Sequence, residues 1–426
     1  MHIQKLSLDR FRGAQRLPLE FHDKLNVFVG MNGTGKSTIL DATAILLSWM
    51  VNRIKHVNAS GRPISESDIC NGESWANLNI TCMDNGNHWG WNLIKVRKGN
   101  RKPKYTASNL TALTEAAKEI QLKITENNGQ LNLPLLAYYP VNRSVVDIPL
   151  RIRERHSFDL LSAYDESLTS GANFRTFFEW FREREDLENE NRKYFNQLIR
   201  PEGYQFPDSQ LEAVRTALVQ FMPEFANLAV RRNPLRMEVE KNGKILTVNQ
   251  LSDGEKCLMA MIGDLARRLA IANPMRSNPL EGNGIILIDE IDLHLHPKWQ
   301  RIVVPKLIEV FPNCQFLVST HSPHVITQVQ PENLFLLKMS DNGLTLLRPS
   351  ESYGKTVERI LEDLMGLETT RPTEVAENIH RIYEQIDHGD LEVAKRTIFE
   401  LKDRIGEDPE LVKASVLIRR KELIGK

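Results

Sequence analysis

The octapeptide "GMNGTGKS", Gly30 to Ser37, leaves this chain few folds to choose from. It stands between an apolar run, "KLNVFVG", and a long apolar stretch, "TILDATAILLSWM", the strand–loop–helix order that a G-x-x-x-x-G-K-S pattern requires. Its glycines let backbone N–H groups curl around phosphates, and the following helix adds the partial positive charge of its N-terminus. Lys36 is placed to bridge terminal phosphates and Ser37 to offer a hydroxyl to magnesium. Asn32, Gly33, Thr34, Gly35 and Thr38 complete the expected cradle.

Two further apolar runs end in reactive groups. "GIILIDE" is apolar on successive residues, as a strand covered on both faces of a parallel sheet must be, and it delivers two carboxylates at its end. Asp289 is expected in the magnesium shell, and Glu290 is expected to orient or deprotonate an attacking water. "CQFLVSTHSPHV" ends at Thr320 and His321, so His321 is expected to reach the terminal phosphate. His294 and His296 in "IDLHLHP" can be read as a metal pair or as a packed turn; with no third ligand evident, the turn is favoured.

A second phosphate-handling stretch lies far downstream. In "LSDGEK", Leu251 to Lys256, Ser252 is expected to cap a helix with Asp253 in its first turn, turning free N–H groups and a hydroxyl toward an anion. Ser252, Gly254 and Glu255 are therefore candidate nucleotide contacts. This turn cannot easily serve its own phosphate loop. In two chains paired head to tail, each would close over the phosphate held by the other's Lys36.

Charge bears on partners: lysine plus arginine and aspartate plus glutamate number 55 each in 426 residues, so contact with nucleic acid or membrane has to be local. The four cysteines, Cys70, Cys82, Cys257 and Cys314, are scattered, which suits a reducing compartment. "MHIQKLSLDRFRG" has no apolar signal core, and the longest apolar stretch is short and carries Asp41; a cytoplasmic protein is expected.

The remaining pattern yields an α/β chain: a mixed sheet with flanking helices, a helical insertion and a helical C-terminal tail. Residues 1–100 form an N-terminal lobe with the phosphate loop. Residues 101–244 form the insertion with connecting strands. Residues 245–345 form a second lobe, and residues 346–426 form the tail, with a break near Thr370 at "TTRPTEV". Phe174, Phe177, Phe178 and Phe181 recur at helical spacing and are read as packing residues. Asn242-Gly243 marks a hairpin turn, and "RKGNRKPKY" with Arg97 reads as an exposed, mobile loop.

The order of these motifs resembles the ABC-type ATPases: Walker A "GMNGTGKS", signature "LSDGEK", Walker B "IILIDE" and switch histidine "THSP". "DEIDLHLHPKWQ" before "STHSPHVI", and the opening "IQKLSLDRFRG", look like the branch that holds the overcoming-lysogenization-defect nucleases, RecF and the SMC heads. In that branch an arginine in the place of Arg12 contacts nucleotide. "YYPVNRSV", "FRTFFEWFREREDLENE" and the charged tail look more narrowly like the PtuA ATPases of Septu anti-phage systems, including retron-attached ones. The resemblance implies ATP and magnesium as cofactors and an ATP-sandwiched homodimer. It also implies a separate HNH-type, PtuB-like nuclease as partner, and in retron versions a reverse transcriptase with its RNA–DNA product. Neither an H-N-H constellation nor a glutamate with D-x-D after His321 is found, so nuclease chemistry is expected from another chain. A Q-loop glutamine is also missing, with Asn142 or Arg143 in its place. A DNA-repair or chromosome-maintenance ATPase on duplex DNA is the alternative, needing a basic face such as Arg97 to Lys104 with Arg151 to Arg155. A transporter subunit fits the large helical insert poorly.

Overall fold

The computed structural model describes residues 1–84, 86–99, 107–141, 158–169, 171–195, 204–340 and 343–424. At its centre is a six-stranded sheet in the order β13-β12-β3-β11-β10-β6. The strands are β3 (Leu25–Val29), β6 (Leu135–Tyr139), β10 (Gly284–Ile288), β11 (Cys314–Thr320), β12 (Leu334–Ser340) and β13 (Gly343–Leu347). All pairings are parallel except β12 with β13. Every residue of β3, β6, β10 and β11 is buried, which explains why these runs are apolar at successive positions and not at alternate ones.

Register decides where the site lies. Ile288 pairs with both Val318 and Tyr139, and Thr320 pairs with Val29. The carboxyl ends of β3, β11 and β10 therefore stand side by side, at the edge where open α/β sheets bind ligands. The phosphate loop leaves β3 and enters α1 (Lys36–Lys55).

A second, antiparallel sheet runs β2-β1-β4-β5, from β1 (His2–Phe11), β2 (Ala14–Glu20), β4 (Trp75–Asp84) and β5 (Asn87–Val96). Its inward residues, among them Leu6, Leu8, Leu78 and Ile80, join Leu46, Leu47 and Met50 of α1 in the main core. Helix α2 (Thr111–Glu126) covers part of the same core through Leu113 and Ala117. Arg97 corrects the mobile-loop expectation: its Nε donates to the Glu73 carbonyl at 2.9 Å and its Nη2 to that of Ile69 at 3.1 Å. Residues 100–106, Asn142 and Arg143, and Arg151 to Arg155 lie outside the described residues.

The span 101–244, expected as an insertion, supplies β6 to the central sheet as well as α3 (Phe174–Arg192), α4 (Ser209–Phe221), β7 (Phe225–Arg232) and β8 (Leu235–Lys241). Strand β9 (Lys244–Thr247) returns from β8 across Asn242 and Gly243, as the turn dipeptide indicates. Phe174, Phe177, Phe178 and Phe181 are all at most 3% exposed. Phe177 lies against α5 (Asp253–Ala272), where a Cβ on Gly263 would come within 2.9 Å of its ring.

The chain divides into two compact units, Met1–Lys355 and Thr356–Lys426. In the first, α6 (Pro297–Gln300) packs on α7 (Val303–Val310) and α8 (Pro323–Ile326), and α7 packs on α4. The second begins with α9 (Val357–Arg359), which places the break before the expected Thr370. It continues as α10 (Thr373–His388), α11 (Leu391–Ile405) and α12 (Pro409–Ile424), packed through Ile382, Ile386, Leu401, Leu411 and Ile418. Arg371 closes its start onto Asp408 at 2.7 Å.

Phe177→Ala removes a fully buried ring between α3 and α5. A loss of about 3–5 kcal/mol is expected in the free energy of denaturant unfolding of the first unit.

Candidate nucleotide site

Gly30 has to be glycine for lack of space: a Cβ there would lie 2.5 Å from Thr34 Oγ1 and 2.6 Å from the Leu337 carbonyl oxygen. Gly35, at φ 86, caps α1 in the left-handed region, which turns the loop into the helix. Lys36 is buried, and its ammonium donates to the carbonyls of Gly30 at 2.9 Å and Met31 at 3.0 Å. Burial lowers its pKa, against the opposing charges of Asp289, Glu290 and Asp292. These three carboxylates and Lys36 thus share one electrostatic neighbourhood. Asn32, Gly33 and Ser37 are exposed on the outer side of the loop, with Thr34 buried and hydrogen-bonded to Met31 O at 2.7 Å.

Two strand ends hold the carboxylates. The Ser319 hydroxyl, on β11, donates to Asp289 Oδ1 and accepts the Glu290 N–H at 2.8 Å. The Asp289 N–H donates to the Tyr139 carbonyl of β6 at 2.9 Å. Glu290 is thereby held at φ 47, an unusual conformation for a side-chain-bearing residue and one that is common at functional sites. Asp289 is buried at the strand end and Glu290 is half-buried beside it.

His321 follows β11 directly. Burial lowers its pKa and the charge of Lys36 lowers it further, while Asp292, Glu290 and Asp289 pull the other way. The ring is held below the ordinary histidine range and is neutral at pH 7. Asp292 accepts from the Thr320 hydroxyl and from the His321 N–H at 3.4 Å. It fixes the switch histidine's backbone, as Ser319 fixes the carboxylates. Both positioning residues escaped the sequence reading, although the repeated carboxylate in "DEID" and the hydroxyl in "VSTH" were the available signals.

Arg12 lies beside α1, its Nη2 2.8 Å from Asp41 Oδ2 and its Nε 3.0 Å from Asp68 Oδ1. Burial disfavours its charge, but Asp41 and Asp68 outweigh that and raise its pKa. Asp41 is four residues after Ser37, on the same helical face, so Arg12 is tied to the helix that opens at the phosphate loop.

Ser252 caps α5 in a reciprocal box: its hydroxyl accepts the Glu255 N–H, and the Glu255 carboxylate accepts the Ser252 N–H at 3.0 Å. Ser252 and Asp253 are exposed, as expected, whereas Glu255 is buried and also paired with Lys241. The carboxylate of Glu255 therefore shapes the turn from its buried side, while Ser252 stands at the surface. A Cβ on Gly254 would sit 2.2 Å from the His294 carbonyl oxygen, so only glycine lets α5 lie on this turn. His294, at φ 61, makes that turn, and His296 caps α6 by accepting the Lys298 N–H on Nδ1 at 3.2 Å.

These residues fit a polyphosphate and a hard divalent cation. The exposed loop with its left-handed glycines presents amides, the buried ammonium supplies charge, and Ser37 with Asp289 offers oxygen donors of the kind magnesium takes. Fold and site together define a P-loop ATPase domain.

The family described as "AAA domain" matches residues 5–220, and that described as "AAA domain, putative AbiEii toxin, Type IV TA system" matches residues 137–327. The chain is 32% identical over 432 residues to the Retron Ec83 probable ATPase of Escherichia coli, covering 88% of this chain and 78% of that one. It is 23% identical over 402 residues to the Septu protein PtuA of Bacillus thuringiensis, covering 90% and 89%. An SMC head bound to the C-terminal winged-helix domain of ScpA superposes with a TM-score of 0.45 at 17% identity, over 82% of this chain and 98% of that one. The chain belongs to the AAA-domain ATPases, in the family of the retron probable ATPases. Among the described residues no helix is long and apolar enough to cross a membrane.

The histidine's depressed pKa sets a direction for stability. Above about pH 6.5 folded and unfolded chains both carry it neutral; below that the unfolded chain takes up the proton first, so stability falls with acidification toward the lower folded value. His321→Gln is expected to flatten the decline in unfolding midpoint as the pH falls below about 6.5.

Proposed function

We propose that this chain is an ATP-binding and ATP-hydrolysing switch that works as a homodimer in the cytoplasm and regulates a separate HNH-type, PtuB-like nuclease in antiviral defence. In a retron setting its further partners would be the reverse transcriptase and its RNA–DNA product. The observation that carries the dimeric reading is Ser252: an exposed helix cap held in a reciprocal box with Glu255, whose carboxylate is in turn paired with Lys241. The likeness to the Retron Ec83 probable ATPase and to PtuA supports the setting.

In this reading Lys36 binds the terminal phosphates, and Arg12 contacts the nucleotide from beside α1. Ser37 and Asp289 would hold magnesium, which when bound neutralises phosphate charge. Glu290 orients a water and takes its proton, with the hydroxyl of Ser319 fixing its backbone. Neutral His321 donates a hydrogen bond toward the terminal phosphate. Ser252 of a second copy closes the site.

Lys36→Ala is expected to abolish productive nucleotide binding in a calorimetric titration with Mg-ATP. Glu290→Gln is expected to bind ATP and turn it over roughly 10²–10⁴ times more slowly. Light scattering after size exclusion should then show that variant doubling its mass with Mg-ATP, and the Ser252→Arg double variant remaining at monomer mass. A mass that ignores nucleotide in both would remove the shared-site reading.

Residues 356–426 are assigned to partner docking. A chain ending at Lys355 should lose a co-expressed nuclease in pull-down while keeping its ATP affinity; retention of the nuclease would move the docking surface to the first unit.

A further inference from the structure

Tyr138 and Tyr139 stand side by side at the end of β6, 4% and 1% exposed. Successive residues of a strand point to opposite faces of the sheet. Tyr139 faces α5, where its hydroxyl donates to Asp264 at 3.1 Å. Tyr138 instead joins the core that α1 shares with the antiparallel sheet, as do Leu136 before it and, on β10, Ile285 and Leu287. Tyr138 pairs with Leu287, so the next position on this face past the end of β10 is Asp289.

A buried tyrosine hydroxyl ordinarily finds a partner. That of Tyr139 has Asp264, and that of Tyr164 gives its proton to the Pro134 carbonyl at 2.6 Å. Among the described residues the hydroxyl of Tyr138 forms no hydrogen bond, and it is not shut off from solvent in the way the unpartnered Nε1 of Trp180 is.

The charges around that hydroxyl identify the space it faces. Burial raises the Tyr138 pKa well above the ordinary tyrosine value, Asp41 and Asp289 raise it further, and Arg62 and Arg12 oppose them. The phenol therefore keeps its proton, between α1 and the end of β10. Asp41 already has its counter-ions, the Nη2 of Arg12 at 2.8 Å and that of Arg62 at 3.0 Å. Asp289 is the carboxylate that, with Ser37 one helical turn before Asp41, offers oxygen to a hard cation.

We propose that the Tyr138 hydroxyl belongs to the nucleotide site, where it accepts a hydrogen bond from a water of the hydrated magnesium ion that Ser37 and Asp289 would hold. The inference rests on the nucleotide reading of that site. Magnesium dehydrates reluctantly and keeps several waters, each of which needs an acceptor. A neutral phenol oxygen with no protein partner can accept one of those protons and pass its own to a carboxylate or phosphate oxygen. The two carboxylates near it favour a hydrated cation as neighbour over a bare phosphate.

The β,γ-imido analogue of ATP, which is not hydrolysed, is titrated by calorimetry into the full chain and into Tyr138→Phe, in EDTA and at rising free magnesium. Tyr138→Phe removes only the hydroxyl. It is expected to match the parent in EDTA and to need about tenfold more magnesium to reach its tight affinity. Its unfolding midpoint without nucleotide is expected to stay at the parent value, whereas Tyr139→Phe, which loses the bond to Asp264, should unfold earlier and keep the parent's magnesium requirement. An unchanged magnesium requirement in Tyr138→Phe overturns the proposal. So does an equal loss of affinity in EDTA, which would put the hydroxyl on the nucleotide itself, or a stability loss like that of Tyr139→Phe, which would make it structural. A parent chain that binds no analogue at any magnesium concentration would instead remove the nucleotide reading on which the proposal stands.

Discussion

The hydroxyl of Ser319 is a small group on which much of the molecule depends. It gives its proton to Asp289 and receives one from the Glu290 backbone, so a single side chain on β11 fixes both acidic residues at the end of β10. It can do so only because the two strands are parallel and in a register that pairs Ile288 with Val318. That register depends on the buried strands keeping successive apolar faces against helices on either side. Sheet packing and site geometry are therefore one constraint: a slip of one residue would move Ser319 out of reach of both acidic residues.

The parts of this arrangement that show in the sequence are those encoded locally. A phosphate loop is a contiguous string, and the central strands are continuous apolar runs, so their type and order are readable without any knowledge of what lies beside them. The cap at Ser252 is readable for the same reason, because serine followed three positions later by glutamate is a local signal. What was not readable depends on distant chain. Arg97 belongs to a basic stretch and looked mobile, yet carbonyls at Ile69 and Glu73 hold it. Glu255 looked like part of an outward-facing turn, yet Lys241 from β8 draws its carboxylate inside. Asp292 became visible as part of the site only when β11 brought Thr320 and His321 to it.

The buried Asp264, Arg267, Arg268 and Tyr139 group shows the same dependence more strongly. Four polar side chains in the interior would be costly without partners, and among the described residues all but the Nε of Arg267 and the remaining capacity of the guanidinium groups are accounted for. Tyr139 links this group to the site, since its hydroxyl reaches Asp264 while its carbonyl accepts from Asp289. The interior polar cluster and the reactive edge of the sheet are consequently two ends of the same residue.

The burial of α5 has a mechanical meaning. Seventeen of its twenty residues, from Gly254 to Ala272, are enclosed, including both arginines, so the helix cannot slide along its axis or roll without breaking those contacts. Its N-terminal end is held as well, since Gly254 lies too close to the His294 carbonyl for any side chain and Glu255 is paired with Lys241. The helix is therefore a rigid strut of roughly 30 Å, and Ser252 stands at the surface as the outer end of a buried rod.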